Sequence, residues 1–150
     1  MVCLGNICRS PLAEGILKHK VTQQGLDWEI DSAGTGAYHA GELPDTRSIA
    51  VARKYGIDLT DQRARQFKVE DYDKFDKIFV MDTSNYHNVL KLARTEADKQ
   101  KVEMIRNLVH SGCNEQVPDP YWDSNGFENV YQMLDEACDR LIDLNTVFSD

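Results

Sequence analysis

Cys3, Asn6, Arg9 and Ser10, close together near the start of the chain, have the spacing of a nucleophile facing an anion site. Ser10 is a preferred N-cap and Pro11 suits the first helical position, so a helix is expected to open here and run through Leu12, Ile16 and Leu17. A helix N-terminus presents unpaired N–H groups and partial positive charge, which favour an anion. Gly5 and Asn6 tolerate left-handed backbone, so the loop of Leu4, Gly5, Asn6, Ile7 and Cys8 can curl with its amides turned inward. Arg9 adds a planar fork of donors that matches two phosphate oxygens. A thiol at the mouth of this cradle, Cys3, is expected to ionise readily. A thiolate beneath a tetrahedral oxyanion is aimed at its central atom, which is the arrangement for phosphoryl transfer to sulfur.

Far downstream, Asp119 stands between Pro118 and Pro120. Flanking prolines hold a segment stiff and extended, and an acid that must reach a leaving-group oxygen needs such positioning. Taken alone, an Asp-Pro pair only marks a turn.

The segment from Cys3 to Ser10 fits the C-x5-R-[ST] loop of cysteine-dependent phosphatases, and the run CLGNICRSP resembles the low-molecular-weight protein tyrosine phosphatases closely. Asp31-Ser32-Ala33-Gly34-Thr35 and Pro118-Asp119-Pro120-Tyr121 agree with that family and follow in its order, so the resemblance covers nearly the whole chain. It implies Cys3 as nucleophile, residues 4–9 as the phosphate-binding loop with Arg9 as clamp, and Asp119 as general acid and then base. Ser10, Asn6 and Ser32 are implied as supporting residues. Tyr121, Trp122 and Tyr38 are expected to form an aromatic slot for a phosphotyrosine ring, too deep for phosphoserine to reach Cys3. Gln62 falls where some animal members carry a histidine that supports the loop. Cys8 has two readings, a reversible disulfide partner that protects Cys3 or a packing residue. Cys113 and Cys138 are expected to be structural.

The elements that must position these residues are legible from patterning. At 150 residues the chain suits one domain, 1–150, and 41% hydrophobic with 28% charged residues is ordinary for a globular protein. After the first helix, with Gly25 a candidate C-cap, residues 26–30 alternate apolar and charged and predict a strand leading into Asp31. Asp45 is expected to cap a helix that stops at Gly56, and residues 69–75 a short helical turn. Residues 77–82 form a nearly continuous apolar run, as in a buried parallel strand. Thr83 or Ser84 is then expected to cap another helix. Residues 101–108 predict a further strand, and residues 127–144 an amphipathic closing helix. Alternating strands and helices imply an α/β fold with a four-stranded parallel sheet covered on both faces, its ligand at the carboxyl ends of the strands. Only Met1 and Val2 precede Cys3, fewer apolar residues than the family has there, so either the first strand is clipped or the true start lies upstream.

A net charge of −8 argues against nucleic acid as a partner, and no apolar run is long enough for membrane insertion. The absence of an export signal points to a cytoplasmic protein with free thiols. The four histidines show no metal spacing, and no cofactor is expected. The expected substrate is a phosphotyrosine-containing protein or a small aryl phosphate, with inorganic phosphate as product. Arsenate reductases of the same fold use further redox cysteines, which residues 81–88 lack. Protein-arginine phosphatases tend to have Thr where this chain has Ile7, and a less aromatic acid loop. A non-catalytic phosphopeptide-binding module would usually lose the nucleophile or the acid, and both are present.

Overall fold

The computed structural model describes residues 1–123 and 125–146. The expected unit, 1–150, also includes residues 124 and 147–150, which lie outside the described residues. Four short parallel strands, β1 (Val2–Cys3), β2 (Ala33–Gly34), β3 (Ile78–Val80) and β4 (Val102–Met104), form one sheet in the order β2-β1-β3-β4. Among the described residues six α-helices accompany them: α1 (Arg9–Gln23), α2 (Thr46–Lys54), α3 (Asp71–Lys74), α4 (Thr83–Leu90), α5 (Glu96–Gln100) and α6 (Gly126–Thr146). The α/β fold read from the sequence is therefore the observed one, with the residue 4–8 loop joining β1 to α1.

Strand alternation sorts the core into two layers. Cys3, Phe79 and Met81 face a cluster with Leu12 and Ile16 of α1 and Val130 and Leu134 of α6. Val2, Ile78, Val80 and Met104 face the opposite cluster, with Tyr72 of α3 and Val89 of α4. Burying each such aliphatic side chain contributes ~1.5–3 kcal/mol, so these two layers fix the sheet. A third, smaller cluster of Ile7, Cys8, Ala64 and Phe127 underlies the loop after β1.

Several local expectations are corrected. Helix α1 begins at Arg9, with Cys8 in the N-cap position and no side-chain cap. Ser10 lies inside its first turn, because its hydroxyl is engaged by Asn6 and Cys3 instead. At the other end Gly25, at φ +68°, lets Leu26 N–H reach the Val21 carbonyl (2.9 Å), a Schellman close. Residues 26–30 are not a strand. Leu26, Trp28 and Ile30 do pack on the core, but β1, the neighbour of β2, pairs only from Val2 onward and offers them no ladder. Strand β4 ends at Met104, and Ile105–Leu108 winds into a 3-10 turn. Asp82, not Thr83 or Ser84, caps α4 by accepting from Asn85 N–H at 2.8 Å. Helix α5, capped by Thr95, was not anticipated.

Candidate active site

The loop is shaped from outside by its carbonyls. Cys3 C=O accepts from Thr35 N–H (2.8 Å), Leu4 C=O from Gly36 N–H (2.9 Å) and Ile7 C=O from Asp45 N–H (2.7 Å). Ser48 Oγ donates to Cys8 C=O at 3.2 Å. In a trans peptide the N–H points opposite to the C=O. The amides of Leu4, Gly5, Cys8 and Arg9 therefore turn away from these anchors, toward the inside of the loop. Asn6 supplies the left-handed step at φ +58°, whereas Gly5 does not. The close approach of β2 demands glycine at position 34, where a Cβ would sit 2.7 Å from Leu4 O.

A chain of buried hydrogen bonds leads from the thiol into the protein. Cys3 Sγ lies 3.0 Å from Ser10 Oγ, which accepts from Asn6 Nδ2 at 2.8 Å. The same Asn6 amide donates to Ser32 Oγ (2.9 Å), and Ser32 Oγ donates to Glu14 Oε1 (2.6 Å). Lys18 pairs with the other Glu14 oxygen at 2.6 Å. Asn6 Oδ1 accepts from Arg65 N–H at 2.9 Å, so both ends of its amide are fixed. Cys3, Asn6, Ser10, Glu14 and Ser32 are all buried. Gln62 stands apart from this chain: its Nε2 donates to Pro11 C=O at 3.0 Å.

Arg9 is aimed by Asp82. Its Nη1 donates to Asp82 Oδ2 (2.7 Å) and to Val117 C=O (2.9 Å), which uses both protons on that nitrogen. Among the described residues the edge formed by Nε and Nη2 is left for two oxygens of an oxyanion, and Nη2 lies 3.9 Å from Asp119 Oδ2. Asp82 thus serves twice, one oxygen capping α4 and the other holding Arg9. Asp119 Oδ1 accepts from Tyr121 N–H at 3.1 Å, opening the 3-10 turn Pro120–Trp122, and its side chain is 36% exposed.

These residues line one cleft of about 270 Å³. Cys3, Leu4, Gly5, Ile7, Cys8 and Arg9 form its floor, and Asp119, Tyr121, Trp122, Tyr38 and His39 its rim. Among the described residues Tyr38 and Trp122 are the most exposed of the large apolar side chains, and Tyr121 meets Trp122 edge-on at 4.8 Å. Asn6, Ser10 and Ser32 sit behind the floor rather than in it. Cys8 is a free thiol in the small cluster under the loop; burial, with Asp45 as the next contribution, pushes it up to about 12. Cys138 is buried, but Cys113 is exposed and so has no packing role. No cluster of His, Cys, Asp or Glu suited to a metal occurs among the described residues. Nor is any helix among them long and apolar enough to cross a membrane.

Sequence reasoning missed Asp82, Glu14 and His39. Asp82 carried a usable signal, a carboxylate at the carboxyl end of a buried strand, where ligands of such sheets gather. Glu14 and His39 carried none, since both depend on tertiary contacts.

Residues 1–148 match the family model for low molecular weight phosphotyrosine protein phosphatase. A Schizosaccharomyces pombe protein of that description is 41% identical over 137 residues, 89% of this chain and 86% of its own length. A protein tyrosine phosphatase from Entamoeba histolytica, solved with Hepes in its active site, superposes with a TM-score of 0.87 at 38% identity, covering 94% of this chain and 91% of that one. A Drosophila arginine phosphatase superposes with a TM-score of 0.88 at 34% identity, covering 99% and 96%.

Proposed function

Because this chain belongs to the low molecular weight phosphotyrosine protein phosphatase family, we propose that it is a cytoplasmic enzyme, one domain over 1–150, that hydrolyses phosphotyrosine through a phosphocysteine at Cys3. The observation that carries this reading is the cleft in which Cys3 Sγ meets the Ser10 hydroxyl at 3.0 Å, with Arg9 and Asp119 within 3.9 Å of each other above it. The inward amides and the Nε–Nη2 edge of Arg9 hold the phosphoryl oxygens and offset the charge that builds in the transition state. Cys3 Sγ attacks phosphorus; the S–P bond forms as the P–O bond to the phenol breaks. Asp119, protonated, gives its proton to the departing oxygen. As a carboxylate it then takes a proton from water, which attacks phosphorus, breaks the S–P bond and releases inorganic phosphate. The Ser10 hydroxyl, oriented by Asn6, which Ser32 in turn holds, donates to the sulfur when it carries charge.

The aromatic rim and the aliphatic Ile7 support an aryl ester over a guanidine phosphate. A panel of phosphotyrosine, phosphoserine and phosphoarginine peptides tests this. Turnover of phosphotyrosine alone is expected. Preference for phosphoarginine, the activity that names the Drosophila neighbour, would leave Cys3 and Arg9 in their roles and overturn the reading of Ile7, Tyr121 and Trp122.

A further inference from the structure

Among the described residues, the backbone of the loop that carries Asp119 is bonded to the rest of the protein at Val117. Val117 N–H donates to Met81 C=O (2.8 Å), and Val117 C=O accepts from Arg9. Beyond that residue, the bonds from Tyr121 N–H to Asp119 and from Gly126 N–H to Asp123 lie within the loop itself. Yet an acid that protonates a leaving group must stand at a fixed height above the nucleophile.

Arg47 of α2 supplies an external support. Its guanidinium carbon lies 4.6 Å from the Phe127 ring centroid and 5.5 Å from that of Tyr121, two residues past Asp119. A cation over a ring face is attracted by the ring quadrupole, so the contact has direction as well as area. Asp45 grips the same guanidinium in fork geometry, Nε to Oδ1 and Nη2 to Oδ2, both at 3.0 Å. Those bonds hold the Asp45 carboxyl below the usual carboxylate range. Asp45 in turn donates its backbone N–H to Ile7 C=O in the cysteine loop, and Ser48 bonds Cys8 C=O. The start of α2 is therefore bonded to the cysteine loop on one side and stacked against the acid loop on the other. Capping α2 needs only the Asp45 oxygen that accepts from Arg47 N–H; the fork and the two rings go beyond it.

We propose that Arg47, oriented by Asp45, is a positioning residue for the general acid: it registers the Asp119 loop against the cysteine loop and so sets the proton-transfer distance. The proposal rests on Asp119 being the acid. Misplacement by about 1 Å can cost on the order of 10²-fold in rate, and the loss should fall on the step that needs the proton.

The test is kcat/KM for Arg47→Met and Asp45→Asn, each with p-nitrophenyl phosphate and with an alkylphenyl phosphate, alone and combined with Asp119→Ala. Arg47→Met is expected to lose roughly 10–100-fold on the alkylphenyl ester, and only a few-fold on the nitrophenyl ester, whose phenolate leaves without a proton. Inhibition by inorganic phosphate should be unchanged, and Arg47→Met should add nothing to Asp119→Ala. Asp45→Asn keeps a capping side chain but loosens the fork, so it should show the same pattern more weakly; it decides the question if Arg47→Met does not fold. An equal loss on both esters, beside a leaving-group-dependent loss in Asp119→Ala, overturns the positioning role alone. Weakened phosphate inhibition with additive losses also overturns it, making Arg47 an anion contact. Absence of leaving-group dependence in Asp119→Ala overturns both the acid and its support.

Discussion

The floor and the rim of the cleft are built in opposite ways. The floor is backed by a buried, cross-linked network: behind it Asn6 bonds Ser10, Ser32 and the Arg65 backbone, and within it Arg9 is pinned at two points on one nitrogen. The rim is open: Tyr38 is 77% exposed and Trp122 87%. A phosphoryl group is the same in every substrate, and a rigid cradle holds it without reorganisation. The part of the substrate that varies meets side chains that water also reaches. Asp119 stands between the two, attached to the rim yet within 3.9 Å of the floor's arginine.

Substitutions that touch one part and not the other sharpen this contrast. Asp119→Ala should have the largest effect, a loss of ~10²–10⁴-fold on alkylphenyl phosphates and far less on p-nitrophenyl phosphate. Equal losses on both, measured as kcat/KM, would remove Asp119 from the acid role. Ser10→Ala strikes the floor. A hydrogen bond to a charged group is worth ~1.5–3 kcal/mol, so turnover should fall about 10–150-fold, uniformly across leaving groups. A loss that tracked the leaving group would mean that the floor and Asp119 are not separable. Trp122→Ala strikes the rim alone. Phosphotyrosine peptides should bind a few-fold more weakly, from an aromatic contact of ~0.5–1.5 kcal/mol, with small phosphates unaffected. A comparable loss on p-nitrophenyl phosphate would place Trp122 in the chemistry.

The buried thiols and phenols give the least local effect, on stability and not on turnover. Burial raises Cys8, Cys138, Tyr72 and Tyr131 each to about 12, from ordinary values of 9.0 for the thiols and 10.0 for the phenols. Between those values the unfolded chain binds fewer protons than the folded one, so stability should fall steadily as pH rises above about 9. Thermal melts from pH 8 upward check the sign. A melting temperature that stays level to pH 11 would mean these groups ionise in place.

What the sequence disclosed, and what it withheld, follows the same division. The cysteine loop, the helix after it and the buried strand β3 are written in short contiguous patterns of glycine, proline and apolar runs. Pro118-Asp119-Pro120 by itself marked only a turn, which the 3-10 turn Pro120–Trp122 is, and the role expected of Asp119 came from the family resemblance. Residues 26–30 misled because alternation records which side chains face the core, not whether a neighbouring strand is present to pair with. Ser10 misled because its hydroxyl, a good cap in isolation, had a competing partner in Asn6. Asp82 was overlooked because its two jobs join α4 to Arg9, residues 73 apart in sequence. Arg47 was passed over for the same reason, since its meaning lies in Tyr121 and Phe127.

The central claim is a covalent phosphoryl transfer to Cys3, and the direct measurement is to catch it. The enzyme is mixed with p-nitrophenyl phosphate, quenched in denaturant within the first turnovers and mapped by peptide mass spectrometry. One phosphoryl group on the peptide that contains Cys3, assigned to its sulfur and absent in Cys3→Ser, is the predicted result. A Cys3→Ser variant that still turns over above background, or a phosphoryl group found on any other residue, would contradict the account.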